Sequence, residues 1–226
     1  MVTAIRKRRA KRYTARVFDP YTKAIGQLAL AWNDLHESLA ALFATIMLGR
    51  PPTEGEAVDF APLFVWYSSK SDRAQREMLR GAIRYHQPSG GLKPPTVWAS
   101  LRPILYEEVK WLLDRSDALE EDRNNAIHSP LFTTDGTALQ GTGRQRVMPA
   151  FWQFHPRAMK LNKKGDLLRE FRLYRDTALS LADYAHLMDV SLTNPASRPW
   201  PERPSLPTRE RKTTHPNQKR RQRATK

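Results

Sequence analysis

Cysteine is absent from the whole 226-residue chain. That excludes disulfide staples, thiolate nucleophiles, zinc ribbons and iron–sulfur clusters. Long apolar runs are missing too. A membrane-spanning helix needs about 20 residues, and the most apolar stretch, residues 39–47, is less than half that long. The first 16 residues contain no acid and no apolar segment of the kind a secretory signal carries. An Arg-rich, acid-free start could mimic an organellar transit peptide, but nothing else in the chain supports that. The cysteine-free composition fits a reducing compartment, so a cytoplasmic location is expected and membrane association is not. No His-x-x-x-His pair, Gly-rich phosphate loop or serine-nucleophile signature occurs. No metal or other cofactor is therefore expected.

What is present in excess is positive charge. The chain has 38 Lys and Arg against 23 Asp and Glu, a formal charge of +15. Residues 1–16 hold seven basic residues and no acid, and residues 195–226 hold ten against two. Residues 17–194 then balance 21 basic residues with 21 acidic ones. The excess belongs to the ends. The expected organisation is a basic, disordered N-terminal arm over 1–16, a helical unit over 17–194, and a disordered tail over 195–226. The tail carries prolines 195, 199, 201, 204, 207 and 216 among basic residues, a composition that buries no core. Such tails favour nucleic acid through salt-sensitive phosphate contacts, or an acidic protein partner.

Helical periodicity dominates the middle. Ile25, Leu28, Trp32, Leu35, Leu39, Leu42 and Ile46 alternate spacings of 3 and 4, one stripe of an α-helix ended by Gly49 and two prolines. Leu167, Phe171, Tyr174, Ala178, Leu181, Ala185 and Met188 repeat the pattern near the end, with Asp166 as the expected N-cap. Pro62 suits a first helical position, and residues 63–67 could form a separate turn. Residues 71–86 read as a helix with Ala74, Met78, Ala82 and Ile83 on its inner side. A long helix over residues 98–128 carries Leu101, Leu105, Leu112, Leu119 and Ala126, widened by Val109 and Ile127. Pro103 marks its true start, and Ser129-Pro130 ends it. Residues 130–164 lose the period. Turn signals there, with residues 147–154 as a strand, suggest a small β-hairpin or irregular insert. The expected fold is all-α, a four- to five-helix bundle with that insert before the last helix.

The stretch Arg123-Asn124-Asn125-Ala126-Ile127-His128 closes the long helix. At about 100° per residue, Arg123 falls within the apolar stripe, a costly place for an unpaired cation. Asn124 and His128, four residues apart, share a face beside the stripe. Arg123 and His128 lie about 140° apart and do not converge on one helix. Arginine offers a planar fork to phosphate oxygens, histidine gives and takes a proton near neutral pH, and asparagine can orient a ring or a ribose hydroxyl. The bland alternative is that Arg123 pairs with Asp114, Glu120, Asp122 or Glu37 to tie helices together, while His128 caps the helix C-terminus.

This stretch resembles the signature of the HEPN superfamily, helical bundles that include bacterial toxin and phage-defence ribonucleases. That signature is an Arg, a polar residue directly after it, and a His separated from the Arg by four to six residues, near the end of a late bundle helix. Three Arg-x(4–6)-His matches occur here, Arg80 with His86, Arg123 with His128, and Arg209 with His215. Only the middle one has the following Asn and a helix end. The order of elements is similar as well, over roughly residues 20–190. The resemblance implies a metal-independent endoribonuclease that works as a homodimer on RNA, with Arg123, Asn124 and His128 as catalytic residues. It also implies a toxin or phage-defence role, and an antitoxin or other protein partner. The alternative reading is a non-catalytic helical module that dimerises and holds nucleic acid with its basic tails.

Other groups carry weaker signals. Arg144, Arg146, Arg157, Lys160, Lys163 and Lys164 make the insert basic and could hold RNA phosphates if it folds over the end of the long helix. Residues 68–73 could bind phosphate at a helix N-terminus, but ordinary capping by Ser71 or Ser69 explains them equally. His36 and His186 read as bundle histidines, and Glu37 is either a partner of Arg123 or a solvated side chain.

Overall fold

The computed structural model describes residues 16–49, 59–84, 102–134, 146–149 and 155–209. Among these it holds six α-helices and one two-stranded sheet. After a 3-10 turn at Arg16–Phe18, helix α1 spans Asp19–Leu48, with a proline in its first turn where the missing N–H costs nothing. Gly49 closes it. Its φ of 70° is left-handed, and its N–H reaches back to the Thr45 carbonyl at 3.3 Å. Helices α2 (Ala61–Ser68) and α3 (Asp72–Arg84) follow. Helix α4 runs over Arg102–His128, starting beside Pro103 as expected; residues 98–101 lie outside the described residues.

Strands β1 (Leu131–Thr134) and β2 (Arg146–Pro149) pair antiparallel, with Leu131 opposite Pro149 and Phe132 opposite Met148. The expected hairpin insert is present, though the expected strand beyond Pro149 falls on residues 150–154, outside the described residues. A short helix that the periodicity did not indicate, α5, follows at Pro156–Asn162. Its seven residues bury only Ala158 and Leu161. Helix α6 (Leu167–Thr193) closes the bundle, and Asp166 caps it as expected by accepting from the Arg169 N–H at 3.1 Å.

The core is the seam between α1 and α6, the most extensive helix pair, with α4 laid against α6 and α3 against α4. Every large stripe residue of α1 is buried except Ile25, which is partly so, and all seven of α6 are buried. Leu105, Val109, Leu112, Leu119 and Ala126 of α4 complete the interior. Each large aliphatic side chain contributes about 1.5–3 kcal/mol on burial. Helix α3 sits rotated from its expected face. Arg76, Leu79 and Ile83 are buried, Met78 and Ala82 partly so, and Ala74 is exposed. Ser71 caps it, its Oγ accepting from the Ala74 N–H at 3.2 Å.

The chain past Asn194 requires a correction over residues 195–209. This segment does not hang free. It forms a strap along the bundle, with Trp200 and Leu206 packed on the core. The Ser191 hydroxyl donates to the Pro199 carbonyl at 2.9 Å. Arg203 binds Glu108 at 2.7 Å, and Arg209 binds Glu170 at 2.8 and 3.0 Å. Six prolines among polar residues suggested no burial, yet proline also lowers the entropy lost when a segment is fixed. Two apolar anchors and two ion pairs therefore suffice to order it. Trp200→Ala is expected to destabilise the protein by about 1–3 kcal/mol in urea denaturation. A change below about 0.5 kcal/mol, the size of an ordinary surface substitution, would show that the strap adds no stability.

Candidate functional site

Arg123 does lie among apolar neighbours, and what receives it is an indole. Its guanidinium carbon stands 5.3 Å from the centroid of Trp32 on α1. One guanidinium NH2 group (Nη1) donates to the Asn124 Oδ1 at 2.8 Å. Its Nε is buried with no hydrogen-bond partner. Trp32 itself is buried, and its indole N–H donates to Asp72 at 2.8 Å. The ring carries a second cation, Arg76, at 5.6 Å. A buried indole face attracts cations strongly because little water competes for them.

Arg76 is the deepest charge in the structure, with no accessible surface. Its Nε donates to Asp117 at 2.6 Å and its Nη2 to Glu120 at 2.5 Å. Its Nη1 meets the His36 Nε2 at 3.3 Å. Guanidinium nitrogens only donate, so the His36 Nε2 accepts and the proton sits on Nδ1. That N–H then donates to the Gln75 Oε1 at 3.1 Å, and the Gln75 amide donates onward to the Trp66 carbonyl at 3.3 Å. The imidazole is locked in one neutral tautomer. Burial pushes its pKa down, Asp72 opposes this, and Arg76 and Arg123 add to the depression. Arg80 extends the network to Asp114 at 3.0 Å and to Asp117.

These bonds decide whether Arg123 is a structural tie. All four carboxylates that could have paired with it are engaged elsewhere. Glu120 holds Arg76, Asp114 holds Arg80 and Lys110, and Asp122 holds Lys164 at 3.1 Å. Glu37 accepts the Tyr67 hydroxyl at 2.5 Å, away from Arg123. Among the described residues, no carboxylate forms an ion pair with Arg123. Asn124, expected to orient a ring or a ribose hydroxyl, accepts from Arg123 through its carbonyl oxygen.

His128 is exposed at the last position of α4. Arg123 turns inward over Trp32 while His128 turns out to solvent, so one chain does not bring the two together. Beside this helix end the Ser129 hydroxyl is buried with no hydrogen-bond partner. Of the three such side-chain atoms among the described residues, two therefore belong to this end of α4.

Helix α5 packs along the same end. Lys160 pairs with Glu121, and Lys164 pairs with Asp122 while lying 5.9 Å from the Tyr174 ring. Those two cations are taken, whereas Arg157 and Lys163 are exposed. Arg146 belongs to β2, with its side chain outside the described set, and Arg144 lies outside the described residues. The two histidines expected in the bundle differ in placement. His36 is buried within it, and His186 faces solvent. Sequence reasoning passed over Arg76 and Trp32 as site residues. Arg76 was findable, since Leu79 and Ile83 follow it at i+3 and i+7 and place it on the inner stripe of α3. No residues close enough together to hold a metal ion occur among the described side chains. No family model, curated protein or solved structure matches the chain.

Two outcomes test this network. Arg76→Ala leaves Glu120 without its cation and Asp117 with Arg80 alone, beside a void, and is expected to cost about 2–5 kcal/mol in chemical denaturation. The lowered His36 pKa predicts a pH dependence of fixed sign. Its contribution is fully present above the unfolded value of about 6.5. It is lost as pH falls, because the unfolded chain binds a proton that the folded imidazole resists. Stability measured from pH 7.5 down to about 5 should decline more steeply for the parent than for His36→Gln. Parallel curves would refute the neutral assignment.

Proposed function

We propose that this protein is a HEPN-type, metal-independent endoribonuclease acting as a homodimer. The observation that carries the proposal is the guanidinium of Arg123, near a helix end, with which no carboxylate among the described residues forms an ion pair. A cation left over in this way is matched by an anion from outside, and a phosphodiester suits its planar fork. In the reaction, His128 takes the proton of a ribose 2′-hydroxyl. The 2′-oxygen bonds to the adjacent phosphorus, and the P–O5′ bond breaks. The 5′-oxygen leaves with the proton that the His128 imidazolium returns, giving a 2′,3′-cyclic phosphate. Arg123 stabilises the charge that builds on the phosphoryl oxygens, and Asn124 keeps the guanidinium oriented. Arg157 and Lys163, exposed on and beside α5, hold flanking phosphates.

The opposed directions of Arg123 and His128 support a composite site, in which one protomer gives the Arg and the other the His across a two-fold axis. A toxin or phage-defence role, and an antitoxin partner, follow from the resemblance alone. The same opposed directions also favour the second reading, a non-catalytic module that binds nucleic acid through its basic ends.

Purified protein should cut RNA in EDTA, leaving cyclic phosphate ends. Arg123→Ala and His128→Ala should each lower the rate by about 10²-fold or more. An equal mixture of the two variants, exchanged into heterodimers, should regain about a quarter of the parental activity, because half the dimers then carry one intact composite site. No recovery would place both groups in one protomer. No cleavage by the parent, with binding that survives both substitutions, would establish the non-catalytic module instead.

A further inference from the structure

The strap does more than cover the bundle. Between it and helices α4 and α6 lies an open-mouthed cavity of about 460 Å³, walled on one side by the strap and within the usual size range of small-molecule sites. The α4 wall presents Trp111, Arg115 and Leu119, and α6 contributes Leu173 and Tyr174. The strap side is Pro204, Leu206 and Pro207, with Thr208 and Arg209 at its end. It is fastened at both ends, by Arg203 to Glu108 and by Arg209 to Glu170. Two prolines and two ion pairs make it a preformed wall, so little entropy is lost when something binds against it.

The charges around the cavity point to its occupant. Arg209 is held by Glu170, and Asp122 by Lys164. Arg115 differs. It stands 5.7 Å from the Trp111 ring centroid, and among the described residues no carboxylate forms an ion pair with it. The same indole also carries Arg203, 5.3 Å from its centroid, so a ligand reaches the ring only where the unpaired Arg115 swings off it. The site thus combines aliphatic side chains, an indole that Arg115 can uncover, a threonine at the rim and one cation open to an anion. An alkyl chain would meet charged and hydroxyl groups along such a lining. A flat heterocycle with a ribose and a phosphate meets each kind of group in turn.

We propose that this cavity binds a nucleotide, whose phosphate draws Arg115 off the Trp111 ring and whose base takes the guanidinium's place there, against Leu119 and Leu206. The nucleotide is either free or one unit of an RNA chain, and the chemistry of recognition is common to both. The site does not depend on the ribonuclease reading, because it shares no residue with Arg123, Asn124 or His128.

The test is calorimetric titration of the full-length protein with the four ribonucleoside 5′-monophosphates and, separately, with tetranucleotides. Saturable binding of at least one of these is expected. Arg115→Ala should weaken it about tenfold or more, as loss of a charged hydrogen bond does, and Arg115→Lys should restore part of it. Ala118→Trp, which fills the cavity without removing charge, should abolish it. Arg123→Ala and His128→Ala should leave it intact, which separates this site from the proposed catalytic one. Binding of monophosphates identifies a free nucleotide as the ligand, and binding of tetranucleotides alone identifies a subsite for RNA. Absence of saturable binding by either, or affinities unchanged by both Arg115→Ala and Ala118→Trp, would overturn the proposal.

Discussion

The structure depends on the burial of one charge. Arg76 has no access to solvent, and a guanidinium in that position is strongly destabilising unless it is paired and hydrogen-bonded. Asp117 and Glu120 meet this need from α4, and His36 meets it from α1. Helix α3 has few large apolar residues to offer the core, chiefly Leu79 and Ile83. Its position on α4 is therefore set by charge more than by packing. Arg80, one turn further along, repeats the contact at Asp114 and Asp117. A consequence appears three residues beyond Glu120. Had Glu120 been free, it would have stood one turn from Arg123 on the same helix, a natural ion pair. Arg76 takes it, and Arg123 is left with an amide and an indole.

The main helices were legible because their cores repeat at 3 and 4 residues over long stretches. The stripes from Leu28 to Ile46 and from Leu167 to Met188 are almost entirely interior in the structure. Shorter elements were not legible. Helix α5 buries two side chains, too few to define a period. The strap rests on Trp200 and Leu206, isolated among prolines, where composition suggested disorder. On α3, Ala74, Met78 and Ala82 mimicked an inner face, while the true face contained an arginine. The same logic that singled out Arg123, a cation on an apolar stripe, applied equally to Arg76. What no sequence pattern supplies is the pairing across helices. That Glu120 belongs to Arg76, and that Trp32 lies beneath both arginines, is fixed only by the packing of α1, α3 and α4.

The charge distribution along the chain also changes meaning in three dimensions. Residues 17–194 balance to zero and residues 195–226 carry the excess, which suggested a self-sufficient bundle with independent basic ends. Glu170 contradicts that separation. It is 5% exposed, and a carboxylate so buried needs a cation. Its charged partner is Arg209 from the strap, with Tyr174 donating a hydroxyl at 2.9 Å. Glu108 stands in the same relation to Arg203, which together with Tyr184 holds its carboxyl below the usual range despite burial. Two of the cations past residue 194 are thus structural counter-ions of the bundle rather than a surplus available to nucleic acid.

Around Trp32 the structure brings two guanidiniums and an imidazole together, and the three differ in how their charge is met. Arg76 is neutralised by two carboxylates. His36 avoids the problem by remaining uncharged, with Nε2 turned to Arg76 and Nδ1–H to Gln75. Arg123 alone keeps a charge that no carboxylate among the described residues answers. A proton on His36 would remove the acceptor from Arg76 and place a third cation against the same indole, so the neutral imidazole suits both arginines. An anion drawn to Arg123 would offset one of those charges and raise the affinity of His36 for a proton, since linkage between two sites is reciprocal. An anion bound at Arg123 would therefore be coupled to protonation in the centre of the bundle through a single tryptophan ring. The coupling follows from where the carboxylates are, and they are with Arg76.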